Sequence, residues 1–350
     1  MESVAPDAAK TALGNELGQL ENWRAKVKKL EELESSKQFD ALLISANEMM
    51  ETLAEATDPD LQDDWVIGAA YKASALEELG MPQEALRTFD DMIQKFRHSE
   101  DKSISRRISG AYFLRAKYLR SMNRLDDAIA SYDEGIVRLR QKDDVDSQQG
   151  LSRGLMNKAL LLAVGSLKEA ALDPIAEVIR RFSDSSDTTL KASVVRAHWA
   201  RGIVNSQLGR HDLIVEDANR VLEKFGDDDA IEVQREVGDM LMSKGIALAV
   251  LKRSDDELAV YNEVLRRFSN SSDIGLQTDV VTAMLYKAIT RSSQSKVHEA
   301  KTIIEHLIQR FGNHEEKNIQ AIVERAKTLS SILDRPTPVP GPDGPSSAPA

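Results

Sequence analysis

The sequence repeats with a period of 43 residues, and the period is marked by a phenylalanine or, once, a leucine. The markers are Phe96, Leu139, Phe182, Phe225, Phe268 and Phe311, and one step back from the first lies Leu53. No insertion or deletion interrupts this series. A strict period in this range is typical of solenoids, in which each repeat packs mainly against its neighbours. The period therefore predicts an elongated array with an extended surface.

The apolar spacing inside one repeat predicts two α-helices joined by a short turn. In residues 101–143, Asp101 is a plausible N-cap, and Ile104, Ile108 and Phe113 follow at helical spacing. A second helix follows the break at Asn123. Seven such hairpins are expected, with turns near Lys37, Gly80, Asn123, Ser166, Gly209, Lys252 and Ser295. Helical hairpins stacked in this way form an α-solenoid.

Small residues recur where the two helices of each hairpin would touch. The first helix carries Ala73, Ala116, Ala159, Gly202, Gly245 and Ala288, and the second carries Ala85, Ala128, Ala171 and Ala300. Small side chains at these positions let the facing helix approach closely. We expect Asp212 and Glu257 to depart from the second column, and the hairpin that contains Asp212 is the least regular.

These columns resemble the tetratricopeptide repeat. The turn Leu79-Gly80 before Ala85, with Phe89 and Tyr132 as aromatic residues of the second helix, carries the likeness, which covers roughly residues 19–333. The period exceeds the usual 34 residues of that family, and the usual proline after the second helix is absent. The resemblance implies an all-α, right-handed solenoid of about seven hairpins, the superhelix of that family. It also implies a non-catalytic protein that binds other proteins or peptides.

The two ends of the sequence differ from the repeats between them. Residues 316–333 read as a lone helix that caps the last hairpin, because a solenoid otherwise exposes an apolar end face. We therefore assign residues 1–334 to the repeat array. Residues 335–350 are rich in proline, glycine, serine and alanine, which is typical of a disordered tail.

The composition restricts the class of partner. The chain has no cysteine, a formal net charge of −11, and no apolar run long enough to cross a membrane. A net acidic protein is disfavoured as a nucleic-acid binder, and the first residues lack the pattern of a signal peptide. We expect a cytoplasmic protein without cofactor or metal. P-loop, GxGxxG and HExxH motifs are absent, which argues against a catalytic site.

Two further columns are candidates for function. A basic column comprises Lys72, Arg115, Lys158, Arg201, Lys244 and Lys287. It could form a ladder for an acidic ligand, or its members could pair with acids of the second helix such as Asp91, Glu134, Glu177 and Glu263. A second basic column, directly before the period markers, is explained by the helix dipole.

The other column is apolar and lies on the first helix of each hairpin. One row comprises Phe113, Met156, Trp199, Met242 and Leu285, and a second row one turn later comprises Leu160, Ile203, Ile246 and Ile289. In tetratricopeptide arrays such positions line a concave groove, so the resemblance implies a partner-binding surface. Spacing alone leaves open whether neighbouring helices bury these side chains as core.

Three functions follow from these observations. The preferred one is a scaffold or adaptor that binds a peptide or a partner protein in an apolar groove. One alternative is the sensor or regulatory part of a larger bacterial signalling or defence protein, since such arrays accompany effector domains. The other alternative is an enzyme whose site has no recognised motif, which the missing signatures disfavour.

Overall fold

A computed structural model describes residues 23–164 and 167–334. In these residues the chain is helical, with no β-strand. The helices are α1 (23–35), α2 (Phe39–Thr52), α3 (Pro59–Glu78), α4 (Pro82–Phe96), α5 (Lys102–Ser121), α6 (Leu125–Leu139), α7 (Val145–Val164), α8 (Leu172–Phe182), α9 (Thr188–Gln207), α10 (His211–Phe225), α11 (Ile231–Val250), α12 (Ser254–Phe268), α13 (Ile274–Ser293), α14 (Val297–Phe311) and α15 (Lys317–Leu333). A short 3₁₀ helix, Lys168–Ala171, precedes α8. The predicted tail, 335–350, lies outside the described residues.

The helices pair into the seven predicted hairpins across the described ranges. We call the odd-numbered helices α1 to α13 the A helices and the even-numbered helices α2 to α14 the B helices. Each A helix is followed by its B partner, and α15 packs on both α13 and α14 as the predicted cap. The prediction of an all-α array of helical hairpins with a C-terminal capping helix is confirmed.

The helices group into two compact units that divide after Arg180, in the last part of α8. The first unit contains α1 to α7 and most of α8, and the second contains α9 to α15. Within the first unit α5 contacts both α3 and α7, and within the second α11 contacts both α9 and α13. Inside each unit the A helices thus lie side by side as one layer, and α4, α6, α10 and α12 each pack on the A helix before them and the A helix after them.

The 43-residue period reappears in the helix boundaries. Every B helix from α4 to α14 ends at its period marker, and the side chains of Phe96, Phe225 and Phe311 are buried. Burying one phenylalanine side chain contributes about 1.5–3 kcal/mol. The marker residue is therefore the apolar plug at the end of each hairpin.

The turn inside most hairpins contains one residue with a left-handed backbone. The positive φ angles are 57° at Lys37, 74° at Gly80, 59° at Asn123, 70° at Gly209, 58° at Lys252 and 61° at Ser295. Such a residue at the end of a helix lets the chain reverse, and glycine or asparagine accepts the angle most easily. Six predicted turns are thereby confirmed, and Ser166 lies outside the described residues.

Aspartates begin several A helices, as predicted. The carboxylate of Asp101 accepts a hydrogen bond from the backbone N–H of Ile104 at 2.9 Å, and Asp187 does the same for Leu190. At Ala230 the side chain provides no cap. Asp228 accepts a hydrogen bond from the Ala230 N–H at 3.0 Å, which holds the turn before α11 but does not cap the first turn of that helix.

The small column of the A helices faces large side chains of the B helices. A Cβ at Gly245 would lie 2.5 Å from Cε1 of Tyr261, so this position requires glycine. The assignment of Asp212 to the alanine column of the B helices is wrong, because the equivalent position in α10 lies two residues later. Ile214 occupies the alanine position of α10 and Ala218 the aromatic position, and both are buried. The order of large and small side chains is thus reversed in this hairpin, which accounts for its irregular sequence.

Glu257 occupies the alanine position of α12, and its side chain is buried. Thr290 of α13 donates a hydrogen bond from its hydroxyl to the Glu257 carboxylate at 2.7 Å. The pKa of the Tyr261 hydroxyl is raised first by burial and then by the negative charge of Glu257. A buried carboxylate requires such partners.

Candidate functional site

The two predicted apolar rows of the A helices differ in exposure. In the first row Phe113, Met242 and Leu285 are buried, while Met156 and Trp199 are partly buried. In the second row all four side chains are exposed: Leu160 54%, Ile203 37%, Ile246 48% and Ile289 41%. The first row therefore contributes mainly to packing, and the second row reaches solvent.

Phe113 occupies a slot between two glycines. A Cβ at Gly135 of α6 would lie 2.5 Å from Cε1 of Phe113, and a Cβ at Gly154 of α7 would lie 2.7 Å from the same atom. Ordinary carbon–carbon contacts lie near 3.5–4.0 Å. The ring also packs on Tyr132, with 5.9 Å between ring centroids. Phe113 thus joins the third hairpin to α7 as core and is removed from the candidate surface.

The second row changes character along the chain. The same column contains Glu31, Ser74 and Lys117 before Leu160, and Ile203, Ile246 and Ile289 after it. In the first unit two of the polar members bond to glutamates of the preceding A helix: Ser74 donates to Glu34 at 2.6 Å, and Lys117 pairs with Glu77 at 3.2 Å. Only the second unit presents three consecutive apolar side chains, which we call the isoleucine row: Ile203, Ile246 and Ile289.

A cleft of about 220 Å³ separates two members of the isoleucine row. It is lined by residues of α9, α10 and α11, among them Ile203, Ile246, Ile214 and Gly202. Gly202 faces Ile214, with 3.6 Å between its Cβ position and the nearest Ile214 carbon. Val250 extends the exposed apolar surface one turn beyond Ile246. The arrangement offers a shallow apolar receptor for one side chain.

The basic column is largely paired within the chain. Arg115 bonds to Asp90 at 2.6 Å, Lys158 to Asp133 at 2.5 Å and Lys287 to the amide oxygen of Asn262 at 2.7 Å. Each partner lies 25 residues earlier, on the preceding B helix. The predicted acidic column of Asp91, Glu134, Glu177 and Glu263 is therefore wrong by one position.

Arg201 departs from this rule because position 176 is an alanine. Its guanidinium instead forms two hydrogen bonds, both of 2.6 Å, to Asp217 on its own B helix. His198 lies 3.6 Å from the same carboxylate. Burial raises the pKa of Asp217, but its contacts with His198 and Arg201 outweigh burial and hold that pKa below its usual range. A buried network of this kind specifies the packing of α9 on α10.

The second basic column has a role that its position in the helix did not reveal. Lys95 donates to the carbonyl of Ala54 at 2.6 Å, Arg138 to that of Arg97 at 2.7 Å and Arg267 to that of Gly226 at 2.5 Å. Arg310 donates to Ser269 in the same way. Every acceptor lies 41 residues earlier, just after the preceding B helix. The cations therefore cap the C-terminus of the neighbouring hairpin as well as their own helix.

A glutamine column was missed in the sequence. Gln62, Gln148, Gln234, Gln277 and Gln320 are spaced by 43 or 86 residues. Each donates from its side-chain amide to the carbonyl six residues earlier; the distance is 3.0 Å from Gln62 to Ala56 and 3.1 Å from Gln277 to Ser271. The regular spacing was available as a signal, and it indicates that the loop before each of these A helices is held by its own first turns.

Two carboxyl groups on the A layer of the second unit have raised pKa values. Burial raises the pKa of Asp279 on α13 to about 8, helped by the charges of Asp239 and Asp273. Burial and the nearby Glu236 raise the pKa of Asp239 on α11 to about 6. Asp279 packs against the backbone of Gly238. The positions of Asp239 and Asp279 correspond, 43 residues earlier, to Arg196 and Glu236. These two form an ion pair, in which Arg196 donates to Glu236 at 2.9 Å.

Neither a metal-binding cluster nor a membrane-spanning helix is present among the described residues. No group of three or more His, Cys, Asp or Glu side chains in residues 23–164 and 167–334 is placed to hold a metal ion. None of the helices in these ranges is both long enough and apolar enough to cross a membrane.

Known proteins were compared with the chain by sequence and by structure. No protein-family profile matches the sequence, and no curated protein is significantly similar to it. Among solved structures, the apo form of RapI is similar over 89% of this chain and 81% of its own, with 12% identity and a TM-score of 0.62.

A second solved structure is a signal transduction ATPase with numerous domains, PH0952 from Pyrococcus horikoshii, which has a tetratricopeptide repeat sensor. It is similar over 87% of this chain and 43% of its own, with 10% identity and a TM-score of 0.53. At sequence identities this low, structural similarity establishes the fold alone. Together with the helical hairpins of 43-residue period, these likenesses show that the chain has the fold of tetratricopeptide repeat arrays.

Proposed function

We propose that the chain is a non-catalytic binding protein whose second unit holds an apolar or amphipathic peptide segment of a partner on the isoleucine row. The observation that carries this proposal is the exposure of Ile203, Ile246 and Ile289 on consecutive A helices. Isolated exposed apolar residues are common, but a row in register across three packed helices is the pattern expected of an interaction surface.

The surroundings of the row support a peptide as the occupant. The cleft beside Ile203 and Ile246 has room for one side chain, and an extended or helical segment can place further apolar groups on Ile289 and Val250. Trp199, partly buried one turn before Ile203, is a candidate anchor, because tryptophan is enriched among residues that dominate binding energy.

The test compares variants against a peptide library displayed at neutral pH. Ile246→Ser should reduce binding of the selected peptides at least tenfold while leaving the circular dichroism melt unchanged. Ile44→Ser is the matched control, because Ile44 is a 60% exposed isoleucine on α2 of the first unit. Peptides that bind both variants equally well would refute the isoleucine row as the site.

Trp199→Ala separates a binding role from a packing role. A contact residue should lose about 2–4 kcal/mol of peptide affinity with little change in stability. A core residue should instead lose about 3–5 kcal/mol of folding stability. A variant that melts normally and binds every selected peptide as the wild type does removes Trp199 from the site.

A second candidate function is suggested by the likeness to PH0952, whose repeat part is a sensor. In this proposal the array detects a ligand for an effector that belongs to the same polypeptide. Detection of the protein in its native cells with an antibody against the array distinguishes the two proposals. A polypeptide much longer than 350 residues supports the sensor, and one of about this length supports the separate binding protein.

A further inference from the structure

An exposed acid lies on the same face of α11 as the central member of the isoleucine row. Asp239 precedes Ile246 by seven residues, so the two side chains project from one face of the helix, about 10 Å apart along its axis. Both are exposed to solvent. Val250, also exposed, continues the same stripe one turn beyond Ile246. The exposed stripe of α11 is therefore acidic at one end and apolar at the other.

A second carboxyl group, that of Asp279 on the next A helix α13, lies beside the first. A Cβ at Gly238 would lie 3.4 Å from the carboxyl carbon of Asp279, so this partly buried group packs directly on α11 next to Asp239. The two aspartates are 40 residues apart, which is the separation of the bonded residues Arg196 and Glu236. We call Asp239 and Asp279 the acidic pair.

No cation of the chain neutralises the acidic pair. Arg196 donates to Glu236 at 2.9 Å, and Arg235, one turn before Asp239 on α11, donates to Asp273 at 2.8 Å. Within residues 23–164 and 167–334, the side chains of the acidic pair form neither a hydrogen bond nor an ion pair. The two arginines nearby are thus occupied by two other acids, and the charges of the acidic pair remain in excess.

The environment of the acidic pair opposes its ionisation. The pKa of Asp279 is raised to about 8, first by burial and then by the charges of Asp239 and Asp273. The pKa of Asp239 is raised to about 6 by burial and then by Glu236, although Arg196 acts in the other direction. A cation brought by a ligand relieves this unfavourable interaction, because incompletely solvated charges are screened less than exposed ones.

We propose that the segment held on the isoleucine row is basic and amphipathic, with a lysine or arginine that pairs with Asp239 and Asp279 while its apolar side chains lie on Ile246 and its neighbours. This inference rests on the proposed peptide-binding function and adds the chemistry of the partner. Two acids alone do not specify a ligand, but these two share an exposed stripe with apolar groups. An acidic segment is rejected, because it would meet carboxylates that have no cation of their own.

The geometry sets the sequence pattern of the partner. The separation of about 10 Å between Asp239 and Ile246 is spanned by seven residues of a helical segment, which rises 1.5 Å per residue. It is spanned by about three residues of an extended segment. The basic residue and the first apolar anchor of the partner are therefore expected at one of these spacings.

The binding test uses two displayed peptide libraries that share apolar and neutral polar residues. One library adds lysine and arginine, and the other adds aspartate and glutamate. Selection on the wild-type protein at pH 8, above the pKa of Asp239, should enrich peptides from the basic library only. In a selected peptide, replacing the pairing lysine or arginine with glutamine should weaken binding by about tenfold or more, measured by fluorescence anisotropy.

Variants of the protein locate the contact. The double variant Asp239→Asn, Asp279→Asn should lose about tenfold or more in affinity for the basic peptide, while its affinity for the glutamine version stays within about twofold of the wild-type value. The double variant Glu223→Gln, Asp255→Asn is the matched control. It removes the same formal charge from exposed positions of α10 and α12, which are B helices, and should bind the basic peptide as the wild type does.

Each outcome bears on a different part of the proposal. Peptides that lose affinity in Ile246→Ser but bind the asparagine variant as tightly as the wild type overturn the role of the acidic pair and leave the proposed function standing. Equal losses in the asparagine variant and in the control show a general effect of net charge and also overturn it. If no selected peptide depends on Ile246, the proposed function fails and this inference fails with it.

One comparison remains decisive even if the asparagine variant is unstable. Equal affinity of the wild-type protein for the basic peptide and for its glutamine version overturns the proposal, since the wild type then makes no use of the partner's charge. A loss confined to one basic position of the peptide supports it.

Discussion

The glycine slot around Phe113 makes a sharp prediction about stability. Gly154→Ala places a Cβ 2.7 Å from Cε1 and 2.9 Å from Cε2 of the ring, and closer still to Cζ. Overpacking of this kind destabilises a core by about 1–3 kcal/mol. Replacing glycine inside a helix also contributes about 0.8–1 kcal/mol of stabilisation through helix propensity. The net loss expected for Gly154→Ala is therefore about 0–2 kcal/mol.

A control isolates the packing contribution. Gly110 lies in α5, and a Cβ there meets no atom within 4 Å, so Gly110→Ala should stabilise the protein by the helix propensity alone. The difference between the two variants cancels propensity and should equal the overpacking cost of about 1–3 kcal/mol. Urea unfolding followed by circular dichroism measures both free energies.

The Phe113 ring can be tested as the cause. In a Phe113→Leu background the obstructing ring atoms are absent, so adding Gly154→Ala should cost less than it does in the wild type. The coupling energy of this double-mutant cycle should exceed about 0.5 kcal/mol. Equal stabilisation by Gly154→Ala and Gly110→Ala, or a coupling near zero, would refute the slot.

Three further predictions follow from contacts described above. The folded-state pKa of Asp279 is raised to about 8 from an ordinary value of 3.8, so its contribution to stability is present at low pH and is lost as pH rises through 8. The free energy of unfolding of Asp279→Asn should therefore rise by more than about 1.4 kcal/mol relative to that of the wild type between pH 5 and pH 9. A difference between the two proteins that stays constant across urea titrations at these pH values contradicts the prediction. Arg267→Gln removes the bond to Gly226 and should lower stability by about 1–2 kcal/mol, whereas Arg120→Gln at an exposed position should have little effect in the same melts. Ala116→Leu should destabilise by about 1–3 kcal/mol, and an unchanged urea midpoint would show that the small column makes no close contact.

Much of the fold was predictable because the period carries it. Phe96 and its equivalents end the B helices, and Gly80 and Asn123 reverse the chain where the sequence indicated. These features depend on local backbone conformation and on a pattern of burial that recurs in every hairpin. Each hairpin gives only a weak signal, but the same signal at the same position in seven hairpins makes the prediction reliable. The register of α10 was missed because Ile214 and Ala218 exchange large and small side chains, which removes the local signal.

The candidate site was less predictable, because exposure depends on neighbouring helices. Phe113 and Ile246 are both large apolar residues of A helices. The missing side chains of Gly135 and Gly154 leave room for the Phe113 ring between helices, whereas the described residues leave Ile246 exposed. The partners of the basic column were also missed, since a separation of 25 residues pairs consecutive hairpins and spacing inside one hairpin does not show it.

The bonds between hairpins also explain why the repeat length never changes. Arg138 and Arg267, directly before the period markers, each donate to a carbonyl 41 residues earlier. Arg115 and Lys158 of the basic column each bond to a side chain 25 residues earlier. Adding or deleting one residue in a loop between these partners would turn at least one of them away and leave a helix end uncapped. Loops in most proteins accept length changes readily. Here the loops act as spacers of fixed length. A whole repeat of 43 residues can therefore be gained or lost, but the length of a repeat cannot change.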